Sequence, residues 1–378
     1  MVYSVMGLMS GSSLDGLDIV HVQLSQHAGK WTFEILNSAC YPYPEDWIDK
    51  LRNAVNLTAL DYQLLHTAYG HYIGDKVNGF IQENELQYKV QLIGSHGHTT
   101  FHLPEKRMTA QLGDGAAIAA TTGINVISDL RAMDVAFGGQ GAPIVPIGER
   151  LLFPEHELFL NLGGIANISA QQQPRTDWPE NHSQDSKQTI AFDICPANAV
   201  LNLLANELGQ AFDVDGSLAA NARVNEKLLQ ELNRQPYYDK AFPKSLANNF
   251  GTETIFPIII SAGLGIPDSL RTYIEHICIQ VDRSVKKVLG QSRHLDISMF
   301  VTGGGAFNLF LMKRLKEILA PSGIQVFIPD DGVIKYKEAL IMALIATLRW
   351  REEINVLSSV TGAVRDTIGG ALWMGQHG

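Results

Sequence analysis

Apolar and polar residues alternate at Val20, Val22 and Leu24 and again at Trp31, Phe33 and Ile35, the period of a half-buried β-strand. Together with the apolar segment 2–9 they predict that the chain opens on strands. The first two are joined by Ser10-Gly-Ser-Ser-Leu-Asp-Gly-Leu-Asp18, a stretch of hydroxyls, glycines and acids that makes a hairpin with a polar tip. Helical spacing follows. Pro44 suits a first turn, and Thr58 with Asp61 resembles a capping box ahead of an amphipathic segment reaching about residue 81. Short buried strands are expected over 90–94 and 124–127.

The same pattern returns over 158–169, where two apolar runs flank the turn of Asn161-Leu-Gly-Gly-Ile-Ala-Asn167. Segment 171–188 is strongly polar and is expected to be an exposed excursion. A strand over 297–302, a turn through Gly303, Gly304, Gly305 and Asn308, a helix over 309–319 and a buried closing helix over 335–351 complete the pattern. Two glycine-tipped hairpins about half the chain apart predict two α/β halves of similar topology. No residue-level repeat or Pro/Ser-rich linker separates them, so two domains in close contact around a cleft are expected.

Composition narrows the function classes. The chain has 378 residues, of which 46% are hydrophobic and 18% charged, enough for buried cores and against disorder as the main state. Lys and Arg number 29 against 39 Asp and Glu, a net charge of -10, and no basic run interrupts it. A nucleic-acid or anionic-membrane surface is therefore not expected. A small anion remains possible, because backbone amides bind one without net positive charge. Cys40, Cys195 and Cys278 are too scattered for a disulfide framework or a zinc pattern. The first residues lack a basic start and cleavage site, and the longest apolar runs fall short of the ~18 residues that span a bilayer. A cytoplasmic protein is expected.

Several residues can carry chemistry. At the first hairpin tip, the hydroxyls of Ser10, Ser12 and Ser13 and the amides near Gly11 can bind phosphate oxygens, while Asp15 and Asp18 can hold Mg²⁺. An ordinary Gly/Ser/Asp turn explains the same residues. Three glycines at 303–305 permit close backbone approach to a ligand, or simply lead into a helix capped by Asn308. Asp213 before the helix starting near Leu218 reads best as a cap. Asp193 ends an apolar, strand-like segment, where it can serve as a general base or cap the next helix. His96, His98 and His102 fit polar contacts better than zinc spacing. Cys195 reads as a packed thiol.

Taken in order, these segments resemble the anhydro-N-acetylmuramic acid kinases of the sugar kinase, Hsp70 and actin superfamily. The likeness is carried by Met9-Ser-Gly-Ser-Ser-Leu-Asp-Gly-Leu-Asp18, Gly94-Ser-His-Gly97, Gly138-Gly-Gln-Gly-Ala-Pro143, Asn161 to Asn167, Gly303 to Asn308, Lys337-Glu-Ala339 and Val360-Thr-Gly-Ala363. It implies a two-domain α/β protein of the actin-like ATPase (duplicated ribonuclease H-like) fold with an interdomain cleft. The domains expected are 1–128 with 364–378, and 129–363. It further implies ATP and Mg²⁺, opening of the 1,6-anhydro ring by water, and phosphorylation of O6 in cell-wall sugar recycling. By motif position Asp193 matches the base. Gly11, Ser12, Ser13, Leu14, Asp15, Gly16, Leu17 and Asp18 match the ATP phosphate segment, with Asn161, Gly163, Gly164, Gly303, Gly304, Gly305 and Asn308 on the nucleotide side. Asp15 is the expected metal contact, and His96, Arg131 and Glu338 are the expected sugar contacts. A homodimer acting on a small amino sugar is implied.

The sequence also departs from that family's pattern. Asp193-Ile-Cys-Pro-Ala-Asn198 stands where Asp-Thr-Gly-Pro-Gly-Asn is usual, and His98 stands where Gln is common. Ala132 and Met133 replace basic residues, and Pro243-Lys-Ser-Leu-Ala-Asn-Asn249 replaces Pro-Lys-Ser-Thr-Gly-Arg-Glu. These changes fall on the sugar side. They leave two alternatives open, a related sugar kinase with another acceptor and a non-catalytic nucleotide-binding protein of the same fold.

Overall fold

The computed structural model describes residues 1–11, 13–172, 188–242, 244–247, 249–290 and 296–375. Of the polar excursion expected over 171–188, the part 173–187 lies outside the described residues, as does the site candidate Ser12. Its flanks, Gln172 and Gln188, are paired in a sheet.

The chain divides into two compact units, 1–154 with 336–378, and 155–335. The first is built on β1 (Val2–Ser10), β2 (Gly16–His27), β3 (Lys30–Pro42), β4 (Leu92–Ser95) and β7 (Asn125–Ser128), with β5 (His98–Leu103) and β6 (Met108–Leu112) forming a separate hairpin. Its sheet runs β3-β2-β1-β4-β7 and ends on the closing strand Ala371–Trp373. β1, β2 and β3 are antiparallel neighbours, whereas β1, β4 and β7 are parallel. β1 is central and hides Val5, Met6 and Leu8, so it reads as a continuous apolar run; β3 at the edge keeps the in-out alternation visible in the sequence. The helix Ala59–Glu83 covers one face through Leu65, Tyr69, Ile73, Val77 and Phe80, one residue per turn. Its N-cap is Thr58, whose hydroxyl oxygen accepts the Asp61 amide at 3.2 Å.

The second unit repeats the order. β8 (Leu158–Leu162), β9 (Ile165–Gln172), β10 (Gln188–Pro196), β11 (Ile297–Thr302) and β12 (Ile324–Phe327) form a sheet β10-β9-β8-β11-β12. Again the first three are antiparallel and the last two run parallel to β8. One strand order, three antiparallel and two parallel, thus occurs in both units; this is the duplicated ribonuclease H-like arrangement. Helix Ile266–Leu289 fills the second core with Leu270, Ile274, Ile277, Val281 and Val285, and helix Leu309–Leu319 adds Leu311 and Leu315.

Segments 129–154 and 336–363, expected in the second domain, belong to the first unit. The reason is packing on its sheet. In helix Asp331–Trp350, Ala339 places its carbonyl so near β1 that a Cβ on Gly7 would lie 1.8 Å from it. Lys337 of the same helix donates to Glu149 at 2.8 Å, both buried, and Phe153 stacks edge-on to Phe33 at 5.3 Å. Thr361 donates to the buried carboxylate of Asp134 at 2.7 Å, which fastens 360–363 to the glycine loop 138–143 through the Gly141 amide. Among the described residues no helix is long and apolar enough to cross a membrane.

Candidate functional site

In the first unit the β1–β2 hairpin turns through Gly11, Ser13, Leu14 and Asp15. Leu14 takes a left-handed conformation, and its amide donates back to the Gly11 carbonyl at 3.4 Å. Ser13 and Asp15 are exposed and Gly11 is half-buried, so this tip is open to a ligand. Ser10 below it is buried and fixed: its hydroxyl accepts from Tyr43 at 2.8 Å and sits 3.2 Å from His98 Nδ1. Leu17 is used differently from the sequence expectation. Its side chain is buried in the core, and its backbone pairs with Ser10 on one side and Tyr41 on the other, so what it offers is support for the tip.

Asp18, further along β2, has its carboxyl pushed up to about 6. Burial is the main cause; the Cys40 thiol hydrogen bond opposes it, while the negative charges of Glu338 and Asp15 add to it. Mg²⁺ is commonly held by one or two carboxylates with phosphate oxygens and water. Asp15 and Asp18 supply such carboxylates, and their mutual repulsion is what a cation would relieve. Among the described residues no group of three His, Cys, Asp or Glu forms a metal cage, the three histidines included.

The three expected sugar contacts are coupled within this unit although they come from distant stretches. His96 is buried after β4, Arg131 follows β7, and Glu338 rides on helix Asp331–Trp350. Burial draws the Arg131 guanidinium down to about 10, and Glu338 opposes that shift. Burial, and next the Arg131 charge, hold His96 down to about 3. The Arg131 Nε and the Ser95 hydroxyl are buried with no hydrogen-bond partner among the described residues.

In the second unit the β8–β9 turn and the turn after β11 converge. The carbonyls of Gly163 and Gly164 accept the amides of Asn198, Ala197 and Ala199 at 3.1, 2.8 and 3.2 Å, which holds the start of helix Asn198–Asn206. Asn198 Nδ2 donates to the Leu162 carbonyl at 2.9 Å. Gly303 has φ 83°, and a Cβ there would lie 2.5 Å from Asn161 Oδ1. Asn161, Gly163, Gly164 and Gly303 to Gly305 are therefore one cluster of closely apposed backbone. The hydroxyl of Thr302 beside it is buried without a partner among the described residues, a donor suited to a phosphate oxygen. Asn308 acts locally, since its Oδ1 accepts the Leu311 amide at 2.9 Å and caps helix Leu309–Leu319. Asp213 also caps, accepting the amides of Leu218 and Ala219.

Asp193 lies in β10, where a register shift between Asp193 and Cys195 breaks the ladder with β9. It does not cap the following helix. Its Oδ2 accepts from the Leu246 amide at 2.9 Å and the Ser245 hydroxyl at 3.1 Å, and Oδ1 has no partner among the described residues. Burial raises its pKa, while the Leu246 and Ser245 hydrogen bonds and the Lys244 charge restrain the rise. A carboxylate raised by burial and keeping one bare oxygen suits proton abstraction. Cys195 next to it is wholly buried, and burial raises its thiol well above the ordinary range, so it packs. The sequence reading missed the supporting roles of Ser245, Leu246 and Asn198. Their stretches stood out only as departures from a pattern, because contacts spanning 36 to 53 residues have no local signal.

Similarity to known proteins extends over nearly the whole chain. The family described as anhydro-N-acetylmuramic acid kinase matches residues 3–375. Proteins named anhydro-N-acetylmuramic acid kinase align over nearly their full length. That of Shewanella denitrificans is 31% identical over 96% of each chain, and that of Vibrio parahaemolyticus 33% identical over 95% of each. That of Picosynechococcus is 33% identical over 95% of this chain and 96% of its own. Among solved structures, the activator of the 2-hydroxyisocaproyl-CoA dehydratase from Clostridium difficile covers 93% of this chain and 96% of its own at a TM-score of 0.42 and 15% identity. The fold assignment rests on the strand order.

Proposed function

Because the chain belongs to the anhydro-N-acetylmuramic acid kinase family, we propose that it opens 1,6-anhydro-N-acetylmuramic acid with water and phosphorylates O6 at the expense of ATP, yielding N-acetylmuramic acid 6-phosphate. The observation that carries this reading is the family match over residues 3–375, which takes in every segment singled out above. It favours this activity over a drifted acceptor or a non-catalytic role.

In the chemistry proposed, Asp193 Oδ1 takes a proton from water as its oxygen bonds to C1. The C1–O6 bond breaks, and O6 then bonds to the γ-phosphorus while the bond to the ADP oxygen breaks. Ser245 and the Leu246 amide keep Asp193 oriented and oppose the rise in its pKa. Arg131 and Glu338 would hold the sugar, Arg131 suiting its carboxylate. The Gly11 to Asp18 tip and the Asn161, Gly163, Gly164 and Gly303 to Gly305 cluster would hold the phosphates, with their amides and the Thr302 hydroxyl as donors. Asp15 and Asp18 would hold Mg²⁺, which supplies charge neutralisation when bound. A cytoplasmic homodimer without nucleic-acid or membrane partners is part of the same reading; the net charge of -10 without a basic run supports the latter.

Incubation with ATP, Mg²⁺ and the anhydro-sugar in ¹⁸O-water, followed by mass spectrometry, tests the reading. A product that gains one phosphate and one ¹⁸O is expected. Phosphate gain without ¹⁸O would refute hydrolytic ring opening, and no product despite ATP binding would point to another acceptor.

A further inference from the structure

Four cationic side chains meet in the second unit, although the sequence contains no basic run. Arg283, Lys286 and Lys287 stand at i, i+3 and i+4 near the end of helix Ile266–Leu289, so they share one face. Arg234 is the C-cap of helix Glu226–Asn233. The two helix ends converge, since Arg283 Nη1 donates to the Asn233 carbonyl at 3.2 Å. Between them lies an open pocket of about 430 Å³, lined by all four cations together with Tyr238 and Asp239. Basic residues in the last turn of a helix complement its dipole. That accounts for each helix end alone, but not for the meeting of both on one hollow.

The partners of these cations leave much of their charge standing. Lys287 Nζ donates to the Tyr238 carbonyl at 2.8 Å, as Arg283 does to that of Asn233, and a carbonyl accepts without cancelling the donor's charge. Lys286 pairs with Asp282 at 2.6 Å and Asp239 stands in the lining, so among the described residues positive charge is in excess, in a chain of net charge -10. Lys244, on the segment that follows Tyr238, responds to it. Burial first, and the Lys287 charge next, draw its ammonium down to about 8, with Cys195 and Asp239 opposing and Lys240 adding to the shift. An anion among crowded cations relieves their repulsion. Arginine forks match phosphate oxygens, and lysine adds a point charge. The pocket falls within the about 300–1,000 Å³ of small-molecule sites, so it has room for more than the phosphate group itself. We propose that this pocket binds a phosphate dianion, free or carried on a small phosphomonoester, through Arg234, Arg283, Lys286 and Lys287. None of these residues belongs to the segments assigned above to nucleotide or sugar, and the proposal stands independently of that function.

Calorimetry on the full chain at pH 8 and constant ionic strength, with inorganic phosphate and glucose 6-phosphate as separate probes, tests it. Both should bind saturably. Arg283→Gln and Lys287→Gln should each weaken binding roughly ten- to hundredfold. Lys286→Gln removes an exposed ammonium whose partner is Asp282, so it should fold normally and still weaken binding. Thermal unfolding of each variant separates lost binding from a lost fold. Lys50→Gln makes the same change of charge at an exposed position of the first unit and should leave the affinity unchanged. Tighter binding of glucose 6-phosphate assigns the site to phosphomonoesters, and equal affinities assign it to free phosphate. No saturable binding of either probe at millimolar concentrations overturns the proposal. Equal losses from Lys50→Gln and Lys286→Gln overturn it too, since they would reduce the effect to overall charge. Binding that all three pocket variants leave unchanged places the anion elsewhere and overturns it as well.

Discussion

Asp193 and Leu246, 53 residues apart in the chain, are joined by a 2.9 Å hydrogen bond from the Leu246 amide to one oxygen of the Asp193 carboxylate, leaving the other oxygen without a partner among the described residues. One half of the carboxylate is thus anchored and the other is available for chemistry. Asp193→Asn separates these two roles. The amide oxygen can keep the Leu246 and Ser245 bonds, so the fold should survive, but the NH₂ left on the bare side cannot accept a proton. Turnover should fall about 10²–10⁴-fold with ATP affinity, measured by calorimetry, unchanged. Retention of turnover within a factor of ten would remove Asp193 from the role of base.

The Ser245 hydroxyl lowers the Asp193 pKa, against the upward push of burial. A base works only when deprotonated, so activity should fall as pH drops through the folded value. Ser245→Ala removes a lowering influence and should shift the acid limb of kcat/KM to higher pH, with the plateau nearly retained. A limb that stays in place would mean that another group controls it.

Asp18 presents the opposite balance between stability and function. Its carboxyl is raised from 3.8 to about 6, chiefly by burial, so the folded chain holds this proton more tightly than the unfolded chain does. The protonated group favours the fold below about pH 4, and that contribution is lost as pH rises through about 6. Asp18→Asn should therefore raise Tm more at pH 8 than at pH 4.5 while weakening Mg²⁺-dependent nucleotide binding. An equal gain at both pH values would show that its charge is not what destabilises the fold.

Two glycines should respond to alanine with opposite signs. Gly7→Ala drives a Cβ to 1.8 Å from the Ala339 carbonyl and should cost about 1–3 kcal/mol or more, because strand and helix must separate. Gly79 lies inside helix Ala59–Glu83 with nothing within 4 Å of the added Cβ. Gly79→Ala should stabilise by about 0.5–1 kcal/mol. Urea denaturation of both variants decides; loss at both positions would contradict the packing described for Gly79.

Both hairpins, the helix Leu309–Leu319 and the Thr58, Asp213 and Asn308 caps were legible in the sequence, because alternation, caps and glycine turns are local signals. The candidate residues Asp193, Asp18, His96, Arg131 and Glu338 were put forward from motifs in a family-like order. Three things needed the folded chain. Leu17, expected in the phosphate segment, carries its side chain into the core. The unit boundary fell at 154/155 and 335/336, because the helix that crosses it packs over Gly7. And the state of each candidate group came from burial first and then from neighbours that are remote in sequence: Leu246 for Asp193, Glu338 for Asp18, Arg131 for His96. Periodicity and turn chemistry act over a few residues and can be read along the chain. Burial and electrostatic coupling act through space, so only tertiary structure decides which carboxylate is bare, which is repelled and which histidine is held uncharged.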